Sequence, residues 1–521
     1  MKKITYLIIY ITFLTNITWS QDLYVGSGAA ITTIPGSVLF AGSNVSVHAE
    51  ASLTTTSDAT ASGSFIVSGS TTGNITYKRY INDDNWHLVS APVTSQSIPT
   101  FIGVAGNAVA QSGTTNNYAV SYYNNTNTAG NRWTYHNDSP SSENQETLTS
   151  FIAGQGYSMK RTAAGDYTFT GAMANADVSV TIPTITTTGA HLWSAIGNPF
   201  PSFLPLNDAV NVANILADNV AKLDASFAFL YVWNGTSKEY DPIGLGGAAL
   251  QLAPGQAFMV RAKSTSETFV FKKTLQNHNS GAATFYKSSV STPTISVYLT
   301  NGTSNKSANL EFLDSSTTGL DVGYDAGAYQ DGTPTFSINT HLVSDSQGID
   351  FTRQSLPISS LDSDVAIPLS VYAGINEEVT FSIDTNHLPD GVSVYLEDTL
   401  NNTFTNLTEA PLELKITVAL SGIGRFYLRT SSGVLSTETN LVDSLIQVYK
   451  TSNGTVKITG LTSGSAATFS LFTILGKEVM ATKFIAQNVQ EILLPTSLST
   501  GVYLVNIVSN LGTFHKKIVI E

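Results

Sequence analysis

Adjacent acidic residues are the first candidates for chemistry in this sequence. Glycoside hydrolysis needs two carboxylates about 5–10 Å apart across a cleft. Three adjacent pairs occur, Asp83-Asp84, Glu377-Glu378 and Glu397-Asp398. Neighbouring side chains on a strand point to opposite faces, so the members of such a pair are not expected to act together. We interpret these residues as solvated turn charges and assign no catalytic residue.

Four aspartates are candidate ligands for calcium, which takes about six to eight oxygen atoms. They are Asp314, Asp321, Asp325 and Asp331. Their spacing does not match an EF-hand loop, and loop aspartates commonly hydrogen-bond their own backbone. The eight histidines are too scattered for a zinc motif. The sequence therefore assigns no metal ligand and no cofactor, with calcium as the one candidate kept open.

Aromatic side chains near residue 130 are candidate ligand contacts, because flat rings can stack on the apolar faces of sugars. Tyr122, Tyr123 and Trp133 lie in the stretch YYNNTNTAGNRWTYHN, which is typical of an exposed loop. For Trp133 we favour core packing over ligand binding, since most tryptophans are largely buried. Trp86 and Trp193 begin strand-like runs, and we interpret both as core residues.

Composition excludes several classes of protein. The chain has 521 residues and no cysteine, which excludes disulfides, thiolate metal sites and a cysteine nucleophile. The net charge is −13 without any long run of Lys and Arg, so nucleic acid is not an expected partner. Only 12% of residues are charged, and the abundant Ser, Thr, Asn and Gly favour strands joined by turns.

The first 20 residues have the pattern of a secretory signal peptide. Lys2 and Lys3 precede the apolar run 4–14, and the small residues that follow predict cleavage between Ser20 and Gln21. A buried N-terminal strand is the alternative. No later stretch is apolar for about 18 residues, so we expect no transmembrane helix in the mature chain.

Short alternating runs separated by turn residues predict an all-β protein. We expect several β-sandwich-like modules in series, preceded by a short β-solenoid or meander and interrupted by one inserted helix. Disorder is the alternative for the polar N-terminal tract. The predicted divisions are a signal peptide (1–20), a Ser/Thr/Gly-rich β-repeat region (21–80), a first β unit (81–180), a second β unit with a helix near 207–223 (181–288), a β-sandwich (289–430), a linker (431–440) and a C-terminal domain (441–521).

The two central units share an approximate internal repeat, which predicts two related sheets. Asn207 or Asp208 could cap the helix of the second unit, because apolar residues recur after them at three- and four-residue steps. The matched segments of the repeat are 86–92 with 193–199, Tyr122-Tyr123 before Trp133 with 229–231 before Trp233, and 154–157 with 255–258.

Three blocks near the C-terminus carry a resemblance to a known family. They are FSLFTILGKEV (469–479), LSTGVYLV (498–505) and KKIVI (516–520). Together they resemble the type IX secretion sorting domain found on secreted surface proteins of Bacteroidetes, of a flavobacterial type. The family often opens with Tyr-Pro-Asn-Pro, whereas this chain has VYKTSN at 448–453.

The resemblance implies export by the outer-membrane type IX translocon, which is then a partner of the chain. The expected location is secreted or on the outer cell surface, with surface lipopolysaccharide or polysaccharide as a further candidate partner. Gly476 and Gly501 are placed where tight turns need a residue without a Cβ atom. Lys516 and Lys517 could instead only protect an edge strand from aggregation. The residues assigned to the sorting signal are Gly476, Lys477, Gly501, Tyr503, Lys516 and Lys517.

Repeated β units, few charges and no catalytic constellation favour a non-catalytic adhesin or carbohydrate-binding protein. The alternative is an extracellular polysaccharide-degrading enzyme, or an accessory protein of a polysaccharide-utilisation system. A purely structural role in a surface layer is the third candidate.

Overall fold

A computed structural model describes residues 22–184, 191–208, 213–235, 238–245, 249–279, 292–363, 365–432, 446–450, 454–473, 477–487, 489–495, 498–509 and 512–520. The chain divides into two compact units, Met1–Ser288 and Ser289–Glu521. The predicted cleavage site at Ser20 and Gln21 lies outside the described residues.

The first unit consists mainly of short strands. Its described α-helices are α1 (Ile98–Gly103) and α2 (Ile215–Asn219), and short 3-10 turns also occur. Its strands are β1 (Leu23–Val25), β2 (Ala30–Thr33), β3 (Val38–Ala41), β4 (Val45–Val47), β5 (Ser52–Thr56), β6 (Ser64–Val67), β7 (Thr71–Thr72), β8 (Ile75–Ile81), β9 (Trp86–Ser90), β10 (Val120–Tyr123), β11 (Trp133–His136), β12 (Gln145–Glu146), β13 (Gly156–Lys160), β14 (Gly165–Gly171), β15 (Val178–Ile182), β16 (Trp193–Gly197), β17 (Leu204–Asn207), β18 (Leu230–Asn234), β19 (Glu239–Ile243), β20 (Leu250–Leu252), β21 (Ala257–Arg261) and β22 (Glu267–Phe271).

A solenoid of parallel strands opens this unit. Strand β1 pairs with β4 and β4 with β7, β2 pairs with β5 and β5 with β8, and β3 pairs with β6. The register places Leu23 beside Val45 and Val45 beside Thr71, so successive coils are 22 and 26 residues long. Alternation turns Val45, Leu53 and Phe65 into the core. Of the two predicted arrangements, the structure has the solenoid.

Two sheets of the same strand order follow. The first runs β9-β13-β10-β11-β12 and the second β16-β21-β18-β19. Equivalent inward positions hold Val89 and Ile196 on the first strands, and Tyr157 and Phe258 on the next. The repeated segments of the sequence therefore occupy equivalent strands with equivalent buried faces.

The inserted helix is shorter than predicted. Helix α2 begins after Asn214, whose side chain accepts a hydrogen bond from Ala217 N–H. The predicted cap at Asn207 or Asp208 is wrong because the helix begins at Ile215. Asn207 ends β17, where its amide bonds the carbonyl of Gly244 and the N–H of Leu250. An amide used in this way is not available as a cap. None of the described helices is long and apolar enough to cross a membrane.

Apart from one short 3-10 helix at Ile358–Leu361, the described parts of the second unit consist mainly of strands. They are β23 (Thr294–Thr300), β24 (Asn305–Phe312), β25 (Ala326–Gly327), β26 (Ser337–Thr340), β27 (Phe351–Leu356), β28 (Ile367–Ala373), β29 (Glu378–Asn386), β30 (Val392–Asp398), β31 (Thr403–Asn406), β32 (Leu412–Lys415), β33 (Leu420–Ser432), β34 (Gln447–Lys450), β35 (Thr455–Thr459), β36 (Ala466–Thr473), β37 (Glu478–Ile485), β38 (Val489–Leu493), β39 (Gly501–Ser509) and β40 (Gly512–Ile520).

One long sheet of this unit folds over its own core. Its order is β31-β30-β33-β28-β26-β27-β24-β23-β29-β32, with β25 beside β27. Phe381 on β29 and Phe426 on β33 lie far apart in that order, yet their rings meet at 4.8 Å. The two ends of the sheet therefore face each other, as in a sandwich. Strand β33 extends to Ser432, so the first two residues of the predicted linker belong to the sheet.

The C-terminal residues form two sheets around a separate apolar cluster. The sheet orders are β34-β35-β38 and β37-β36-β39-β40. Ile458, Phe469 and Val505 are fully buried in that cluster. The prediction of an all-β protein with sandwich-like modules is confirmed.

Candidate functional site

The two repeats contact each other with approximate two-fold symmetry. Val89 forms an isolated bridge with Gln256, and its equivalent Ile196 forms one with Gln155, the equivalent of Gln256. Such reciprocal pairing is what a two-fold axis produces. Two backbone hydrogen bonds follow the same rule, Ser90 N–H to the Gly255 carbonyl (3.1 Å) and Gly197 N–H to the Gly154 carbonyl (2.9 Å).

Small residues allow the backbones to approach at this symmetric contact. A Cβ added to Gly197 would lie 2.7 Å from the Cβ atoms of Ala257 and Ser90. A Cβ on Gly156, the equivalent of Ala257, would lie 2.9 Å from the backbone of Ala195. The contact fixes how one sheet lies on the other, and larger side chains would force the sheets apart.

The face of the first sheet that carries Trp86 also carries three other aromatic residues. Tyr123 lies opposite Trp133, and their rings meet edge to face at 5.3 Å. The rings of Trp86 and Tyr135 meet in the same way at 5.9 Å. Tyr123 is buried, whereas Trp86, Trp133 and Tyr135 are only partly buried. We call these three partly exposed residues the aromatic face.

The rings of Trp86 and Tyr135 meet across two intervening strands. Across the sheet, one row of neighbouring residues runs from Leu88 through Ser158 and Ser121 to Tyr135. Trp86 lies two residues before Leu88 on the same strand and therefore on the same face. Because serine side chains are short, the long aromatic side chains can extend over them. The result is an aromatic surface that covers Ser121, which is fully buried, and leaves Ser158 partly exposed.

Tyr122 does not join this face. All three predicted contacts, Tyr122, Tyr123 and Trp133, lie on strands rather than in an exposed loop. Tyr122 packs against the core on the opposite face, and its hydroxyl donates to Glu146 Oε2 at 2.7 Å. Burial, and then the hydrogen bond and charge of Glu146, raise the pKa of Tyr122. The structure thus brings Tyr123 and Trp133 together and separates Tyr122 from them.

The corresponding face of the second repeat is covered. Trp193, the equivalent of Trp86, is 1% exposed, and its ring contacts Phe227 at 5.6 Å and Tyr231 at 4.8 Å. Arg261, opposite Trp193, pairs with Asp224 at 3.2 Å and lies over Phe227. The segment around residues 224–227 therefore closes this face. The core interpretation is right for Trp193, whereas Trp86 is only partly buried.

The sequence match of Trp133 with Trp233 is wrong. Trp233 lies on β18, at the position of Tyr123 in the first repeat. Its neighbour across the strands is Tyr240, which holds the position of Trp133, and the two rings meet at 5.1 Å. The aromatic pair is thus present in both repeats with its two members exchanged.

Arginines neutralise one adjacent acidic pair. Asp398 accepts two hydrogen bonds from Arg425 at 2.8 and 2.9 Å, and Glu397 accepts one from Arg429 at 2.6 Å. Burial raises the pKa of Asp398, but the hydrogen bonds and charge of Arg425 outweigh it and hold this pKa below its ordinary value. A carboxylate held ionised in this way is unsuited to act as a general acid.

The candidate calcium ligands differ in their surroundings. Asp325 is fully buried and accepts hydrogen bonds from Ser355 N–H and Oγ–H and from Asp321 N–H. Burial raises the pKa of Asp325 to about 6. Asp321 in turn accepts bonds from Thr317, so both carboxylates tie their loop to β27. Among the described residues, no three His, Cys, Asp or Glu side chains are grouped to hold a metal ion.

A hydrogen-bonded Ser-His-Asp group, which the sequence did not predict, contains the residue types of a nucleophilic triad. His341 contacts Asp350 Oδ1 through Nε2 at 2.8 Å and Ser346 Oγ through Nδ1 at 3.3 Å. Gln330 also donates to Asp350, and Gly348 N–H donates to Ser346 Oγ at 3.4 Å. The spacing of these residues matches no known motif, so only the folded loop reveals them.

The predicted sorting residues lie on the C-terminal sheets, except that Gly476 lies outside the described residues. The backbone of Lys477 closes a turn with Thr473, donating to its Oγ and accepting from its N–H. Gly501 begins β39, and Tyr503 is buried with its hydroxyl donating to the Ser499 carbonyl at 2.9 Å. The exposed residues of the sorting signal on the edge strand β40 are Lys516 and Lys517.

The model of one protein family covers most of the chain. The family described as "Domain of unknown function (DUF8693)" matches residues 8–429. The chain belongs to this family. In this DUF8693 protein, residues 450–521 also match the "Secretion system C-terminal sorting domain". The prediction of a type IX sorting domain, as found in Bacteroidetes, is confirmed, and with it export to the cell surface or extracellular space.

No curated protein matches this DUF8693 protein. One solved structure, titled "Crystal structure of tetra-tandem repeat in extending region of large adhesion protein", covers 72% of this chain and 84% of its own chain. The identity is 11% and the TM-score is 0.13, so the likeness carries no argument.

Proposed function

We propose that this exported protein is a non-catalytic surface adhesin that binds glycans through the aromatic face. The observation that carries the proposal is the partial exposure of Trp86, Trp133 and Tyr135 on one side of a sheet. Exposed aromatic surface is unfavourable in water unless a ligand covers it. In the second repeat the equivalent tryptophan, Trp193, is buried, so the exposure of Trp86 is not a necessary consequence of the fold.

The surroundings of the aromatic face suit a sugar. Sugar rings offer apolar C–H faces for stacking and hydroxyl groups for hydrogen bonds. Ser158 lies within the face, and Lys160 lies opposite Trp86 at its edge. Both residues are partly exposed. A bound ring could therefore contact aromatic carbon and polar atoms at once.

A polar groove elsewhere on the first repeat is a second surface suited to hydroxyl groups. It lies between loop segments that include Gln111, Thr115, Asn137 and Gln145. Asp138 is the one charged residue in its described lining. Asn137 and Gln145 both donate to Asn117 Oδ1 at 2.8 Å, so the amides are held in place before any ligand arrives. Preorganised donors and acceptors lose little entropy on binding.

A binding screen on immobilised polysaccharides tests the proposal. We expect the wild type to retain at least one glycan, and the double variant Trp86→Ala/Tyr135→Ala to lose roughly tenfold or more in affinity. The control is Tyr24→Ala, which removes a 67% exposed aromatic ring from the solenoid. Equal binding by all three proteins would reject the aromatic face as the site.

An extracellular polysaccharide-acting enzyme is the competing candidate, because Ser346, His341 and Asp350 lie in one hydrogen-bonded row. Analysis of the incubation products separates the two candidates. We expect each retained polysaccharide to be recovered without cleaved bonds or released acyl groups. Products that disappear in the variant Ser346→Ala would establish the enzyme instead.

A further inference from the structure

Arg79 is a cation at an inward-facing position. The alternation of β8 places Arg79 on the same face as Ile75, Tyr77 and Ile81, all of which are buried. The arginine is itself partly buried, and burial lowers the pKa of its guanidinium. A charge directed toward an apolar core is costly unless a partner compensates it.

The described residues supply little compensation. Ser62 Oγ accepts a hydrogen bond from Arg79 Nη1 at 3.2 Å, and no carboxylate among the described residues forms an ion pair with this guanidinium. Arginine carries five N–H donors. Most of its donor capacity is therefore not used by the described side chains.

Arg79 borders a small cavity. The cavity has a volume of about 90 Å³ and is also lined by His87, Leu88, Trp233 and Gln256. Trp233 Nε1–H is buried and has no hydrogen-bond acceptor among the described residues. The cavity is thus lined by two residues with donor groups, the charged Arg79 and Trp233, and neither is paired with a carboxylate among the described residues.

The size and position of the cavity indicate what could enter it. Liquid water occupies roughly 30 Å³ per molecule, so the cavity has room for a small substituent. Leu88 lines the cavity and lies on the same face of β9 as Trp86. A ligand on the aromatic face could therefore direct a substituent into the cavity.

We propose that this cavity binds the anionic substituent, a carboxylate or a sulfate ester, of a glycan held on the aromatic face. The inference rests on the proposed function and adds the class of glycan. Arg79 supplies paired N–H donors that match two oxygens of an oxyanion, and Trp233 Nε1–H supplies a further donor. The bound anion provides the counter-charge that the described protein residues do not.

The experiment compares acidic and neutral forms of the same polymers. Affinity of the full mature protein is measured for polygalacturonate and its fully methyl-esterified form, and for a sulfated galactan and its desulfated form. The two pairs distinguish a carboxylate from a sulfate ester. The variants are Arg79→Gln, which removes the charge, and Trp233→Phe, which keeps a ring and removes the N–H. Lys78→Gln is the matched control, since it removes a neighbouring charge from the opposite face of β8.

We expect the wild type to prefer one acidic polymer over its neutral form. Arg79→Gln should lower the affinity for that acidic polymer roughly tenfold or more and leave the neutral polymer unaffected, because hydrogen bonds to charged groups are strong. Trp233→Phe should lower the affinity for the acidic polymer by a smaller factor, and Lys78→Gln should leave this affinity unchanged. Circular dichroism shows whether Arg79→Gln is folded. If it is not, the affinity of Trp233→Phe for the acidic polymer tests the proposal.

Two results would overturn the inference, and they differ in meaning. Unchanged acidic-polymer binding by both Arg79→Gln and Trp233→Phe rejects the cavity as an anion site and leaves glycan binding by the aromatic face intact. Failure of the wild type to bind any acidic or neutral polymer rejects the proposed function together with the inference.

Discussion

Trp86 and Trp193 occupy the same position in two sheets of one strand order, and Trp193 is buried whereas Trp86 is partly exposed. The segment around residues 224–227 accounts for the difference, since Phe227 packs on Trp193. The duplication thus keeps the scaffold and changes what covers one face. The second repeat uses the face for packing, and the first leaves Trp86 partly exposed.

The two tryptophans should therefore differ in their effect on stability. We expect Trp193→Ala to lower the free energy of unfolding of the first unit by about 3–5 kcal/mol, because it leaves a cavity in a closed core. Trp86→Ala should cost about 1–2 kcal/mol, since part of its ring is already in water. Urea denaturation followed by circular dichroism measures both. Equal losses would contradict the difference in burial.

The symmetric contact between the repeats should not tolerate a side chain. Gly197→Ala places a Cβ 2.7 Å from the Cβ atoms of Ala257 and Ser90, so we expect a loss of about 1–3 kcal/mol in the free energy of unfolding. Gly113→Ala is the control, because its Cβ would have nothing within 4 Å. Thermal denaturation of the two variants gives the comparison. A melting temperature of Gly197→Ala equal to that of Gly113→Ala would count against the close contact.

Asp325 should make the second unit more stable as the pH falls. Its folded-state pKa of about 6 lies above its ordinary value of 3.8, so the folded protein binds this proton more tightly than the unfolded chain does. The resulting stabilisation is complete below about pH 4 and is lost as the pH rises through 6. It amounts to roughly 3 kcal/mol.

Unfolding curves of the wild type and Asp325→Asn between pH 4 and 7.5 test this titration. The variant cannot titrate at this position, so the stability of the wild type relative to the variant should rise as the pH is lowered. If the free energies of unfolding of the two proteins changed with pH in parallel, Asp325 would not have a raised pKa.

Export should depend on the C-terminal residues. Their apolar cluster is separate from the cluster of the preceding sandwich, so deletion of residues 441–521 should leave the rest folded. We expect the truncated protein to be retained inside the cell envelope and to resist protease added to whole cells. The full-length protein is the control. Surface display of the truncation at the normal level would contradict the assigned role of the sorting domain.

The sequence predicted the features that depend on local pattern. Alternation identified the strands, and the matched tryptophan and Gly-Gln segments identified two related sheets. The start of α2 could not be predicted, because only β17 pairing shows that Asn207 is already engaged. The exposure of Trp86 depends on whether a distant segment covers its face. For Arg79 a signal was present, since it interrupts an apolar alternation on β8.

Glycan binding by the aromatic face requires sugar rings to lie on Trp86 and Tyr135. A crystal structure of the protein with the oligosaccharide selected by the binding screen would show this contact. We expect a sugar ring in van der Waals contact with both side chains. An oligosaccharide bound elsewhere, with these two rings uncovered, would contradict glycan binding by the aromatic face.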